Sequence, residues 1–134
     1  MNKVEMLLKA DLGKINEIPQ VEINSARLTY LLGENTKIKV RAIDKQSLMS
    51  QIEKINEVGE EEKVEIYETV ASMGIVDPDL SDINLKKKLE LNENASPLDV
   101  FKKLWKHMEL ESITITKKIC ELSGVDVKID DVKN

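Results

Sequence analysis

The sequence predicts an α+β fold, mostly helical, with an N-terminal β-hairpin packed on a bundle of about five or six short helices. Three observations predict it. Residues 37–43 (Lys37-Ile38-Lys39-Val40-Arg41-Ala42-Ile43) set bases against apolar residues in alternation, the pattern of a half-buried strand whose successive side chains point to opposite faces. From Asp44 onward apolar residues recur at helical spacing, i, i+4, i+7. Ile, Leu and Val supply 40 of the 134 residues with no second compositional block, enough for one core. We therefore expect a single α-rich domain over residues 1–125, with residues 126–134 as a frayed C-terminal tail, the alternation of Val125, Val127 and Ile129 offering a short strand as the alternative.

Each element has a local cause. Val4, Leu7 and Leu8 make one apolar stripe on a short helix over residues 1–11, which Gly13 stops before a loop at Pro19. Val21 and Ile23, then Ala26 and Leu28, suggest a first strand with an irregularity near Ser25. Gly33-Glu34-Asn35 is the turn that joins it to the second. A hairpin alone is marginal in water, so its dry face must pack on helices. Asp44 caps a helix striped by Leu48, Ile52 and Ile55, with Gly59 at its end. Glu60, Glu61 and Glu62 complement the positive end of the next helix, which buries Val64, Tyr67, Val70 and Ala71 and closes with Gly74 in the C′ position. Asp77-Pro78 is a turn. Ser81 opens a short helix carrying Ile83, Leu85 and Leu89, with Lys86, Lys87 and Lys88 near its negative end. Ser96-Pro97-Leu98-Asp99 is the clearest local signal: an N-cap, a proline at N1 and an acid at N3. The helix it opens buries Leu98, Phe101, Leu104, Trp105 and Met108. A last helix over residues 111–123 is striped by Ile115, Ile119 and Leu122 and ends at Gly124.

Charge and cysteine content exclude several functions. The net charge is −5. Nine acids balance nine bases up to residue 60, and sixteen acids against eleven bases beyond it supply the excess. An acidic chain does not attract phosphate backbones or anionic lipid, so neither nucleic acid nor membrane is expected as a partner. No apolar run nears the roughly 20 residues a bilayer span needs, and charges interrupt any signal-like core at the N-terminus. A cytoplasmic protein is expected. The single cysteine excludes an internal disulfide and a multi-thiolate metal site.

No catalytic constellation stands out. His107 lacks an organised partner beyond Glu111 at i+4, and reads as an ordinary surface or boundary histidine. Cys120 reads as a small core or boundary residue, with Lys117 placed to lower its pKa somewhat. The basic stripe Lys37, Lys39 and Arg41 reads as the solvent face of the hairpin, opposite Glu22. The five glycines are isolated and form no phosphate-cradling loop. The expectation is a protein without enzymatic activity, cofactor or metal. Apolar surface remains. Trp105, Met108 and Leu110 are the candidate edge of a protein-binding groove, since Trp is enriched in hot spots and Met in adaptable grooves. The plainer reading makes Trp105 and Met108, on one stripe with Phe101, part of the core.

Several phrases, in order and spacing, resemble a known family over residues 3–125. They are Lys3-Val4-Glu5-Met6-Leu7-Leu8-Lys9-Ala10-Asp11, Val21-Glu22-Ile23 with Arg27-Leu28, Leu32-Gly33-Glu34, and Val40-Arg41-Ala42-Ile43. Gly74-Ile75-Val76-Asp77-Pro78-Asp79-Leu80, Ala95-Ser96-Pro97-Leu98-Asp99 and Glu121-Leu122-Ser123-Gly124 follow. Together they resemble the XkdN-like tail assembly chaperones of phages and prophages of Gram-positive bacteria. The chain departs from the family where Pro-Gly-Glu-Ile often precedes the last helix, and reads Met108-Glu109-Leu110-Glu111-Ser112-Ile113 instead. The resemblance implies a non-enzymatic assembly factor in the bacterial host cytoplasm, absent from the mature virion. It implies transient binding of the tail tape-measure protein, with the tail-tube protein as a further partner, and it leaves homo-oligomerisation open. Two alternatives stand beside it: a structural virion component such as a tail completion or connector subunit, and a small regulatory protein-binding module.

Overall fold

The computed structural model describes residues 2–125, and the expected C-terminal tail, residues 126–134, lies outside the described residues. The fold is α+β and mostly helical: among the described residues there are seven α-helices and a three-stranded antiparallel sheet. In chain order the elements are α1 (Lys3–Lys9), a 3-10 turn (Leu12–Asn16), β1 (Gln20–Asn24), α2 (Ala26–Leu32) and β2 (Lys37–Arg41). Then come α3 (Lys45–Ile52), a second 3-10 turn (Ile55–Glu57), α4 (Glu60–Gly74), β3 (Ile75–Asp77), α5 (Ile83–Lys88), α6 (Pro97–Leu104) and α7 (Glu109–Leu122).

The hairpin forms, with two departures from expectation. β1 and β2 pair antiparallel with Val21 opposite Val40 and Glu22 opposite Lys39. The connection between them is no simple turn, because it holds the whole of α2. Ala26 and Leu28 are therefore helical rather than extended. Ser25 causes the switch: its Oγ accepts from the Leu28 N–H at 3.1 Å, an N-cap, and Gly33 closes the helix at φ +77°. The second departure is β3, which pairs with β2 through Val40–Ile75 and Lys39–Asp77 across an irregularity and makes β2 the central strand.

Ile38 and Val40 on the dry face of β2 are buried and join the core with Val70, Phe101, Trp105, Ile115 and Ile119, each at most 1% exposed. Burial of each such side chain contributes roughly 1.5–3 kcal/mol. α4 is the central helix and packs on α3, α6 and α7. A buried bond from Thr116 Oγ1 to the Tyr67 carbonyl, 2.9 Å, fixes α7 against α4. The Ile43 N–H donates to Ser123 Oγ at 2.9 Å and ties the end of β2 to the end of α7.

Three helix ends differ from expectation. Gly59 is the N-cap of α4 rather than the stop of α3, which ends at Ile52. Gly74 is not a left-handed C′ residue; it is the last residue of α4, and Ile75 caps it in an extended conformation. Gly74 is needed for space, since an added Cβ would overlap the end of Ile119 and lie 3.3 Å from the Arg41 carbonyl oxygen. The single helix expected from Ser96 breaks at Trp105, and the chain turns through His107 at φ +67° before α7 begins. The Ser96–Asp99 capping box is present.

Candidate functional site

The site begins at the junction of β1 and α2. Ser25 is fully buried there and uses its hydroxyl twice. It accepts from the Leu28 N–H and donates to Glu111 Oε2 at 2.7 Å. Glu111 lies in the first turn of α7. Its Oε1 accepts from the Arg27 N–H at 3.0 Å, and its Oε2 also accepts from the Trp105 indole N–H. Arg27 Nε donates to the Leu104 carbonyl at 2.6 Å. An ionised carboxylate has about four acceptor positions. Three are filled here, so Glu111 cross-links the strand–helix junction to the α6–α7 turn.

Above this cross-link, α2 and the start of α7 stand apart and leave a groove of about 530 Å³. Ala26 and Thr29 line it from α2, Met108, Leu110, Glu111 and Thr114 from the α7 side, and Asn24, Ser25 and Asn35 from the strand ends. Met108 is half-buried and Leu110 is 61% exposed. α2 further exposes Tyr30 (78%), Leu31 and Leu32, with the Arg27 guanidinium 5.9 Å from the Tyr30 ring centre. Mixed apolar and polar walls, whose one charged member is the internally bonded Glu111, with Leu110 protruding at the edge, suit an amphipathic segment of another polypeptide.

Of the three sequence-derived groove residues, the structure brings Met108 and Leu110 together in this groove. Trp105 it does not. Trp105 is 1% exposed, stacked on Phe101 at 4.6 Å, with its indole N–H committed to Glu111. A side chain so placed cannot touch a partner, and the plainer core reading applies to it. Sequence reasoning missed Ser25, Arg27, Thr29 and Tyr30. The break in apolar parity at Ser25 was the available signal, since it marks an N-cap and hence a helix in the connection.

The remaining candidates fall outside the groove chemistry. His107 is exposed on the turn, and the Glu111 carboxylate is engaged elsewhere. Cys120 is buried, and desolvation pushes its thiol up to about 11, opposite to the lowering expected from Lys117. Lys39 lies between Glu22 and Asp77 across the wet face of the sheet. Lys86 is buried rather than solvated, and its Nζ donates to the Glu93 carbonyl at 3.0 Å. Among the described residues no three His, Cys, Asp or Glu side chains cluster so as to hold a metal. Among them also, no helix is long and apolar enough to cross a membrane.

Neither a family model nor a curated protein matches the chain. The fold is similar to the crystal structure of the protein YqbN, a structural genomics target, with a TM-score of 0.51. The match covers 87% of this chain and 98% of that one at 17% identity, a level at which the fold alone is shared.

Proposed function

We propose that this chain is a phage or prophage tail assembly chaperone of the XkdN-like kind, which binds the tape-measure protein transiently while the tail is built. The tail-tube protein is its further partner. The observation that carries the reading is the ordered set of sequence phrases that resemble that family's, from the N-terminal helix to Glu121-Leu122-Ser123-Gly124. The groove supports it. A tape-measure protein is long, helical and apolar before the tube encloses it, and its chaperone must cover apolar stripes yet let go. A groove of about 530 Å³ with exposed Leu110 and half-buried Met108 as its apolar contacts is small beside the roughly 2,000 Å² or more that a permanent complex buries. Such contacts dissociate readily. In this reading the chain works in the host cytoplasm, does no bond chemistry, and is absent from the mature virion.

Deleting the gene from its phage or prophage tests the proposal. Tails should then be lost or of abnormal length, and purified wild-type particles should lack the protein. Normal tails in normal yield would overturn the reading. Stoichiometric protein in finished particles would replace it with a structural tail component.

A further inference from the structure

The N-terminal arm, residues 3–18, has no place in the core. Neither α1 nor the 3-10 turn buries a residue. Yet the arm carries seven large apolar side chains that are about half or more exposed, including Leu8 at 80%, Ile15 at 71% and Val4 at 65%. Val4, Leu7 and Leu8 share one face of α1. Leu12 and Ile15 are spaced i, i+3, which places them on one face of the 3-10 turn. A monomeric soluble protein rarely leaves so large an apolar strip uncovered.

The charges of the arm say what covers it. From Lys3 the order is Lys3, Glu5, Lys9, then Asp11, Lys14, Glu17. Read backwards about Ala10, Lys9 mirrors Asp11 and Lys3 mirrors Glu17, while Glu5 mirrors Ile15, the neighbour of Lys14. We propose that the arm is a homodimerisation element, pairing antiparallel with the same segment of a second copy about a two-fold axis near Ala10. Lys3 and Lys9 then meet Glu17 and Asp11 of the other copy and Lys14 comes within one residue of Glu5, whereas a parallel pair would set like charges together. A two-fold interface uses the same patch twice, which is what a self-complementary segment provides. Seven half-exposed large side chains on each copy amount to several hundred Å² per partner, on the order of the ~800 Å² that one side of a stable interface buries. A membrane is the poorer occupant, because three acids cancel three bases and anionic lipid gains nothing.

Sedimentation equilibrium of the full chain tests this. The wild type should dimerise reversibly. L8E should weaken the dimer at least about tenfold with unchanged far-UV circular dichroism, since the arm buries nothing in its own domain. A variant with Lys3, Lys9 and Lys14 all changed to Glu should be monomeric alone. So should one with Glu5, Asp11 and Glu17 all changed to Lys. Mixed, the two should form a heterodimer. A wild type that stays monomeric at high concentration, a dimer indifferent to L8E, or failure of the mixed variants to associate would each overturn the proposal. The client-binding groove is a different surface, so its loss leaves this result unchanged.

Discussion

Glu111 shows how one side chain can hold a site without being the site. It satisfies the Ser25 hydroxyl, the Arg27 N–H and the Trp105 indole at once. Glu111→Ala strands these donors in a partly buried place and should cost about 2–3 kcal/mol, read as a lower urea midpoint. Leu110→Glu at the adjacent position should change stability by no more than about 0.5 kcal/mol, because Leu110 is 61% exposed. That contrast separates the residue that builds the groove from the residue exposed at its edge. Cys120 makes a second case. A buried thiol held near 11 has little thiolate at neutral pH. Thiol reagents should label it in denaturant and scarcely at all in the native protein; rapid native labelling would contradict its burial.

Helix ends decide where the elements of this chain begin and stop. The Asp44 and Asp99 carboxyls lie below the usual carboxylate range, chiefly because each accepts a backbone N–H, from Ser47 and Ser96 respectively. A depressed folded-state pKa contributes stability above the unfolded value of about 3.9 and loses it as pH falls through the folded value. Stability should therefore decline below about pH 4, and Asp99→Asn should flatten that decline. Glu68 has the opposite sign. Burial raises its pKa, so its contribution is present at low pH and lost as pH rises through the raised value. The His107 turn is strained in another way, since a left-handed backbone costs a side-chain-bearing residue roughly 1 kcal/mol. His107→Gly should raise the melting temperature slightly or leave it level; a marked fall would show that the imidazole has a structural partner. The elements that were legible from sequence are those with a period or a cap: β2 by its alternation, α3 by Asp44, α6 by its capping box. α2 was not, because the spacing of Val21, Ile23, Ala26 and Leu28 satisfies a kinked strand nearly as well as a strand followed by a capped helix. β3 was not, because three residues, Ile75–Asp77, carry no period at all.

The molecule as a whole is a sheet and a helical layer closed on each other through α4 and α7. Gly74 marks the tightest approach, between the end of α4, Ile119 and the Arg41 carbonyl. Gly74→Ala should destabilise by about 1–3 kcal/mol despite the better helix propensity of alanine, because Ile119 is fully buried and has nowhere to move. The candidate groove lies at the far edge of this closure, where Leu110 and Met108 came from the sequence and the α2 wall did not. Sequence pattern alone could not separate Trp105 from them, since an amphipathic stripe shows which residues are apolar and not which of them a neighbouring helix covers. We propose that the groove between α2 and α7 holds a helical client by apolar contact. Co-expression of tagged chain with the proposed client, a long helical protein encoded beside it, followed by co-purification, puts this to the test. The wild type should retain the client, and Leu110→Glu, with an unchanged melting curve, should lose it. Equal retention by both, or by neither, would rule out the groove as the docking surface of this client.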